Sequence, residues 1–433
     1  MMHGYLAFDG EGEQLVPFRT WRNTSTGQAA AQLSELFGVN IPLRWSIAHL
    51  QQAVLSGESH VPAIGHITTL AGYVHEALTG RRVLGVGDAS GVFPIDPATR
   101  DYDAELVSRY DALGGLGRPL RDVLPAVLPA GADAGELTAS GAALLDTSGL
   151  LQAGALVCPP EGDAGTGMVA TNAVAPRTGN VSAGTSIFAM VVLERPLQHA
   201  HHELDVVTTP SGDPVAMVHC NNGASELAAW VGLFESFAAS AGLGLSTDAV
   251  YETLFTEALA GEPDAGGLLA YNYLAGEPIA GLDQGRPLFV RTPESRFTLA
   301  NLMRAQLYAV FGTLSLGMQV LASEQVAIDR MYAHGGMFRT AGVAQRFLAA
   351  AIDAPVGVAA SASEGGAWGI ALLAAYRAST DGQDLAAFLD SRVFAAGAAA
   401  MVEPSAEDVA GYSTYLTAYR AGLAIERAAV ASI

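Results

Sequence analysis

The second half of the chain repeats one order of segments: a short strand-like run, a glycine-rich turn and a helix. Residues 180–193 read as two short strand-like runs joined by a turn at residues 184–186. Residues 330–336 read as a strand and a glycine turn before the helical residues 339–352. A further strand-like run at 355–359 precedes another helical stretch. This alternation predicts an α/β fold, because helices that follow strands pack back onto the faces of a sheet.

The first half is predicted to open with a hairpin, formed by strands at residues 5–8 and 14–18 around an acidic turn. Apolar residues three and four positions apart predict helices within residues 29–57, at 67–78 and near 104–113. These segments again combine strands and helices.

Length and composition favour two domains. The chain has 433 residues and half of them are hydrophobic, which is enough for large buried cores. The second half begins near residue 179, so the predicted division is residues 1–178 and 179–433.

The charged residues exclude several classes of function. The net charge of −21 argues against nucleic acids and anionic membranes as partners. All 22 basic residues are arginine, so the chain has no Walker-type loop lysine, no Schiff base and no cofactor aldimine. Any phosphate group would have to be held by backbone amides, hydroxyls and a metal.

We expect a soluble cytoplasmic protein. Cys158 and Cys220 are far apart and form no CxxC motif, which argues against a disulfide framework and a structural zinc site. The first residues lack the pattern of a secretion signal, and no uninterrupted apolar run reaches the length of a membrane span.

Two turns have the composition of an anion-binding loop. Gly184, Thr185 and Ser186 offer backbone N–H groups and two hydroxyls after a strand-like run, an arrangement that favours phosphate. Gly335 and Gly336 lie between a strand and a helix, where glycine lets a ligand approach the backbone. Taken singly, each segment also has the composition of an ordinary β-turn.

Asp163 stands where a helix is expected to begin, and it has two interpretations. An aspartate at this position is typical of a helix N-cap. Alternatively, its carboxylate is a general base that takes a proton from a substrate hydroxyl during phosphoryl transfer. His3, close to the first residue, reads on spacing alone as a solvated side chain.

Three histidines, His199, His201 and His202, lie close to Glu203 and Asp205 in the sequence. This composition allows a metal site, but the spacing fits neither a helix nor a hairpin. An exposed loop is the favoured interpretation, and no residue is assigned as a metal ligand.

The motifs, taken in order, resemble those of the FGGY carbohydrate kinases, the family of xylulokinase, ribulokinase, gluconokinase and glycerol kinase. No single motif is specific, but the set runs in the family's order from residue 1 to about residue 378. The matching segments are Met2-His3-Gly4 at the sugar pocket, Asp88-Ala89-Ser90-Gly91, Gly162-Asp163-Ala164 with the catalytic base, residues 182–186 as the second phosphate loop, Gly335-Gly336 with the hydroxyl of Thr340 near the adenosine, and residues 364–369 in a closing helix.

The resemblance implies an RNase H-like fold, as in actin and hexokinase, with an N-terminal and a C-terminal kinase domain on either side of a cleft. It implies phosphorylation of a small sugar by ATP with Mg²⁺, and a ketopentose such as xylulose or ribulose is the expected substrate. The alternative is a catalytically impaired protein of the same fold that binds sugar or nucleotide, and a homodimer is compatible with both. By resemblance, the base is Asp163, the sugar contacts are Met2, His3 and Asp163, and the nucleotide contacts are Gly184, Thr185, Ser186, Gly335, Gly336 and Thr340.

Two departures from the family pattern lead to further expectations. Family members carry a strand with Asp-x-Gly-Thr well before Met-His-Gly, whereas here Met-His-Gly stands at the first residues. We expect the natural protein to start upstream, and this form to fold its second half, to expose an apolar edge near residues 5–8 and to be a poor kinase. Residues 21–24 read Trp-Arg-Asn-Thr. Many family members instead have Trp and then the four-residue pattern (Asn/Asp)-Asp-x-Arg. This departure leaves the sugar specificity open.

Overall fold

The structure, a computed structural model, describes residues 2–358, 365–379, 382–395 and 399–432. The strands are β1 (Leu6–Phe8), β2 (His66–Thr68), β3 (Val83–Gly85), β4 (Ile95–Asp96), β5 (Asp101–Tyr102), β6 (Ala126–Leu128), β7 (Thr178–Ala183), β8 (Ile187–Val192), β9 (Asp205–Thr208), β10 (Pro214–Cys220), β11 (Leu269–Tyr271), β12 (Leu288–Val290), β13 (Arg330–His334), β14 (Val356–Val358) and β15 (Ala400–Val402). The α-helices are α1 (Gly27–Phe37), α2 (Ser46–Leu55), α3 (Leu70–Thr79), α4 (Val86–Ala89), α5 (Ala104–Asp111), α6 (Ala139–Leu145), α7 (Asp163–Ala170), α8 (Ser225–Ser240), α9 (Thr247–Ala258), α10 (Leu299–Ser323), α11 (Val343–Ile352), α12 (Gly365–Ala378), α13 (Leu385–Phe388) and α14 (Ala406–Ser432).

A seven-stranded mixed sheet organises the second half, with strands in the order β15-β14-β13-β7-β8-β10-β9. Strand β13 runs parallel to β7 and β14, and the other neighbouring strands are antiparallel. Successive side chains of a strand point to opposite faces. On β8, Ile187, Ala189 and Val191 therefore enter one hydrophobic core while Met190 and Val192 enter another. Burial on both faces confirms the predicted α/β layering.

Helix α10 fills the core on one side of this sheet. Its apolar residues go all the way round the helix, which is the pattern of a fully buried helix. The hydroxyl of Thr298 caps its start by accepting a hydrogen bond from the Asn301 N–H at 3.2 Å. Among the described residues, this helix alone has the length and composition of a membrane span, but most of it is buried inside the protein. Polar residues such as Arg304 interrupt this helix, so the sequence shows no uninterrupted apolar run there.

The first half contains pairs of short strands. Strand β1 pairs antiparallel with β2, and antiparallel bridges from Tyr5 to Arg19 and from Phe8 to Gln14 cover its other edge. The chain therefore turns back beside β1 as the predicted hairpin requires, but residues 14–18 form no second strand. Residues 5–8 are at most 5% exposed. The expectation of an exposed apolar edge at this strand is therefore wrong, because the chain covers both of its edges.

The helices predicted in this half are confirmed with two changes of boundary. Helices α2 and α5 form within the predicted stretches, and α1 begins at Gly27, two residues before its predicted stretch. The helix predicted at 67–78 begins later, because Ile67 pairs with Ala7 in the β1–β2 ladder and α3 starts at Leu70. The side chain of Thr69 caps α3, which accounts for the observed start.

The two hydrophobic cores are not separated by a single point in the sequence. One core consists of side chains from residues 181–423. The other consists of side chains from residues 2–217 and of a few from α12, α13 and the residue after it. The C-terminal region thus returns to pack on the first half of the chain. The division at residue 178 remains a proposal.

Candidate functional site

Asp163 is the first residue of α7, and its carboxylate is exposed. The N-cap of this helix is Gly162, and Asp163 makes no capping hydrogen bond, so the N-cap interpretation of Asp163 is wrong. Its Oδ1 accepts one hydrogen bond, from the backbone N–H of Met2 at 3.2 Å. The start of α7 therefore presents a carboxylate that has room to accept a proton from a ligand.

Helix α7 is held in place by a close contact with α12. A Cβ added at Gly369 would come within 3.0 Å of the carbonyl oxygen of Thr166, so a glycine is needed at this crossing. Gly369 ends the predicted closing segment at 364–369, of which Glu364 lies outside the described residues. The glycine-rich helix thus positions the helix that carries Asp163.

Met2 and His3 are buried beside Asp163, which contradicts the interpretation of His3 as a solvated side chain. The Nδ1 atom of His3 lies 3.4 Å from the carbonyl oxygen of Gly91, and its ring stacks on Trp45 with the ring centres 6.4 Å apart. Burial, with a smaller contribution from Arg44, holds the pKa of His3 well below its usual range. A neutral imidazole therefore stands at this end of the site.

Two buried carboxyl groups lie behind Asp163. Oδ2 of Asp88 accepts a hydrogen bond from the Thr69 hydroxyl at 2.5 Å, and its Oδ1 has no hydrogen-bond partner. Glu161 accepts hydrogen bonds from the backbone N–H groups of Gly87 at 3.1 Å and Asp88 at 2.8 Å. Burial raises the pKa of both groups, and their mutual repulsion raises that of Glu161 further. Asp163 is the exposed member of this trio.

The two predicted glycine turns lie side by side. Strands β7 and β13 are parallel neighbours, with His334 paired to Ser182, so the turns that follow them leave the same edge of the sheet. This edge is where ligands bind in open α/β sheets. Gly335 has a φ of +121°, and a Cβ there would come within 3.0 Å of the Ala183 carbonyl oxygen. Gly335 therefore allows the two turns to approach each other.

A cavity of about 880 Å³ opens at these turns. Of the residues assigned to the nucleotide, Gly184, Thr185, Gly336 and Thr340 line it, whereas Ser186 and Gly335 are absent from its wall. The volume is within the range of small-molecule sites. The wall also includes Ala224, Ser225, Thr247, Asp248, Tyr251, Glu252, Phe255, Met337 and Arg339.

A polar network that the sequence motifs did not reveal supports the first turn. The backbone N–H of Gly223 donates to the carbonyl of Thr185 at 2.7 Å. The neighbouring Asn222 side chain donates to Glu277 Oε2 at 3.0 Å and accepts from two N–H groups of the 272–277 loop at 2.9 Å. The sequence feature that could have indicated this network is the end of β10, where two asparagines follow an apolar strand.

Comparison with known proteins identifies the second half of the chain. Residues 179–378 match the FGGY family of carbohydrate kinases, C-terminal domain. No curated protein matches the sequence.

Solved structures match over almost the whole chain. The xylulose kinase from Rhodospirillum rubrum is 21% identical with a TM-score of 0.77, and the match covers 98% of this chain and 83% of that chain. The gluconate kinase from Lactobacillus acidophilus is 16% identical with a TM-score of 0.74 over 98% of this chain and 83% of that chain. The Plasmodium falciparum glycerol kinase with ADP is 12% identical with a TM-score of 0.70 over 98% of this chain and 82% of that chain.

These matches show the fold, which is the two-domain α/β fold of actin and hexokinase type. The fold extends to both halves, and the matched domain begins at the strand that carries the first glycine turn. Residues 179–378 therefore belong to the FGGY family of carbohydrate kinases as its C-terminal domain, and the whole chain has the fold of these kinases.

Proposed function

We propose that this protein transfers a phosphoryl group from ATP to a hydroxyl of a small sugar, with Asp163 as the general base. The observation that carries the proposal is the exposed Asp163 carboxylate beside the buried Met2 and His3. A base needs an accessible lone pair within hydrogen-bond reach of the hydroxyl. Among the three neighbouring carboxyl groups, Asp163 alone has that access.

The sugar side of the site is assigned to Met2, His3 and Asp163. A neutral His3 ring offers one donor or one acceptor to a sugar hydroxyl, depending on its tautomer. The hydrogen bond from the Met2 N–H to Asp163 fixes the carboxylate without neutralising it. Xylulose, gluconate and glycerol kinases share the fold, and we propose a ketopentose such as xylulose or ribulose as the substrate.

The nucleotide side is assigned to the cavity at the two turns. The backbone and hydroxyl of Thr185 at the cavity wall suit phosphate oxygens, as a lysine-free chain requires, and Gly184 and Ser186 belong to the same turn. Gly336 and Thr340 line the same cavity, and the Asp248 carboxylate in its wall offers an acceptor for ribose hydroxyls. The fit is supported by the open space at Gly336, where an added Cβ would meet no described atom within 4 Å.

ATP supplies the phosphoryl group, and Mg²⁺ is expected to enter with it. Mg²⁺ in phosphotransferases is usually held through nucleotide phosphates, waters and one or two carboxylates. The exposed carboxylate of Asp163 fits this donor set, but no residue is assigned as a Mg²⁺ ligand. The chain's own part is to position the two substrates and to accept the hydroxyl proton at Asp163.

The test is ADP release from ATP and Mg²⁺ in the presence of xylulose, ribulose, gluconate or glycerol, with a no-sugar control. We expect ADP release that depends on sugar, that is slow for a kinase and that is highest with a ketopentose. Binding of ATP and sugar in calorimetry without any ADP release would show a catalytically impaired protein and overturn the proposal.

A further inference from the structure

A group of metal-ligating side chains lies away from the proposed kinase site. His199 and His201 stand in the connection between β8 and β9, and Glu324 follows the last residue of α10. Nδ1 of His199 and Nε2 of His201 lie 3.1 Å and 2.7 Å from Oε1 of Glu324. The ligating atoms of the three residues all lie within 4.8 Å of one another.

We propose that His199, His201 and Glu324 bind a divalent cation of the zinc type. Two imidazole nitrogens and a carboxylate oxygen are ligands that Zn²⁺ accepts, with water in the fourth position. At Zn–N and Zn–O distances of about 2.0–2.2 Å, ligands of a tetrahedral ion lie about 3.3–3.5 Å apart. To admit the ion, the separation of 3.1 Å at His199 needs to widen by about 0.2–0.4 Å and the separation of 2.7 Å at His201 by about 0.6–0.8 Å, which small rotations of the side chains can supply.

The surroundings of Glu324 prepare it as a ligand. Its Oε2 accepts a hydrogen bond from the Gln198 N–H at 2.8 Å, and its Oε1 accepts one from the His199 N–H at 3.2 Å. Such outer hydrogen bonds orient a ligating carboxylate.

The carboxylates that stand near the histidines in the sequence have other partners. Asp205 forms an ion pair with Arg44, and Glu203 lies 3.3 Å from His202. The carboxylate that meets His199 and His201 comes from a position more than 120 residues later in the chain. Spacing along the sequence could not reveal this set, because folding brings its members together.

A bound ion would cross-link the β8–β9 connection to the end of α10. The far end of the same connection is already tied to the first half, where Asn40 Nδ2 donates to the Leu204 carbonyl at 3.0 Å and to Asp205 Oδ1 at 3.1 Å. The ion would therefore stabilise a segment that joins α10 to the first half of the chain. This inference does not depend on the kinase activity.

The test uses the full chain after treatment with EDTA and its removal. Zn²⁺ is titrated in by calorimetry, with Mg²⁺ as a hard-ion comparator, and Tm is measured with and without Zn²⁺. We expect one Zn²⁺ per chain, a higher Tm with Zn²⁺ and no comparable effect of Mg²⁺. Co²⁺ in place of Zn²⁺ should give the visible absorption of a tetrahedral site.

Single variants distinguish this site from adventitious binding. His199→Ala and His201→Ala should each raise the Kd for Zn²⁺ at least about tenfold, and both side chains are exposed enough for the fold to tolerate the change. His202→Ala is the matched control, since its ring lies outside the group, and it should leave the Kd unchanged. The proposal is overturned if Zn²⁺ gives no binding heat or if the His199→Ala/His201→Ala double variant binds it as tightly as the wild type.

Discussion

At the scale of single residues, Asp163 is exposed because its neighbours occupy the buried positions around it. A Cβ added at Gly162 would come within 3.0 Å of Met2, and Glu161 is fixed by backbone N–H groups of α4. The backbone at the start of α7 is therefore fixed while the Asp163 carboxylate stays accessible. This is the arrangement that a general base needs.

The first prediction concerns Asp163 itself. Asp163→Ala and Asp163→Asn should each lower kcat by roughly 10²–10⁴-fold, because neither side chain can take the hydroxyl proton. The measurement is sugar-dependent ADP production, with Tm as a check on folding. Asp122→Ala, which removes an exposed carboxylate elsewhere, is the control and should keep kcat. A decrease of less than tenfold for Asp163→Ala would exclude Asp163 as the base.

Glu277 provides a prediction about pH. Its Oε2 accepts hydrogen bonds from Asn222, its Oε1 has no hydrogen-bond partner, and burial raises its pKa from 4.5 to about 7. The folded state therefore keeps the Glu277 proton at pH values where the unfolded chain has lost it. The contribution of this group to stability is complete below pH 4.5 and is lost as the pH rises to about 7.

Glu277→Gln replaces the protonated group with a neutral one of similar shape. The variant should gain stability relative to the wild type as the pH rises from 4.5 to about 7, by about 1.4 kcal/mol for each unit of raised pKa. Above that range the difference should stay constant. Urea unfolding across this pH range provides the measurement, and a difference that does not change with pH would show that Glu277 is ionised in the folded protein.

At the scale of elements, the turns after β7 and β13 meet through one glycine and face the cavity through another. Gly335 packs its backbone on Ala183, whereas Gly336 faces open space. Resemblance assigned both residues to the nucleotide, but the structure gives them different surroundings. A substitution at Gly335 therefore reports on packing between strands, and one at Gly336 reports on the cavity.

Gly336→Val should raise the KM for ATP severalfold more than the KM for sugar, because its side chain would enter the cavity. Tm should change little. Gly335→Val is the contrasting variant and should lower Tm, because its Cβ would collide with the Ala183 carbonyl and its φ disfavours a side chain. An unchanged KM for ATP in Gly336→Val would show that the nucleotide does not contact the cavity wall at Gly336.

The crossing of α7 and α12 offers a matched pair of glycines. Ala is the better helix former by about 1 kcal/mol, so an exposed Gly→Ala change within a helix is expected to stabilise. Gly369→Ala should instead lower Tm, and kcat with it, because the methyl group would push Thr166 and the helix of Asp163 away. Gly365→Ala, which would meet no described atom within 4 Å at the first residue of α12, should keep kcat and should keep or slightly raise Tm. Equal Tm values for the two variants would contradict this account of the crossing.

Most elements of the second half could be predicted from sequence, because capping residues, glycine turns and apolar runs there indicate the same helices and strands that the structure has. Thr298 caps α10 and a long apolar stretch follows it, so both its start and its type were predictable. The start of α3 was not, since Ile67 has the apolar spacing of a helix and is taken into a strand by its pairing with Ala7. The 27-residue helix α14 was not predicted, although the Ser405 hydroxyl caps its start by accepting a hydrogen bond from the Asp408 N–H.

At the scale of the whole molecule, the unpredicted features are those in which distant segments meet. Gly91 touches His3, and Glu324 touches His201, yet nothing in either local pattern points to the partner. The family resemblance matched both segments of the first contact but placed only residues 2–4 at the sugar pocket, so it did not predict that Gly91 meets His3. The second lies outside the family's motifs and required the folded chain.

The burial of the seven-stranded sheet on both faces has a consequence for amide hydrogen exchange. Strands β7, β8 and β10 lie inside the sheet and between the two cores, so their N–H groups reach solvent only when one core opens. We expect these strands to exchange last, and the edge strand β15 and the two-residue strands β4 and β5 to exchange first. In mass-spectrometric exchange, deuterium should therefore enter from the edges of the sheet toward β7, and it should reach the strand that leads to Gly184 only on the time scale of unfolding.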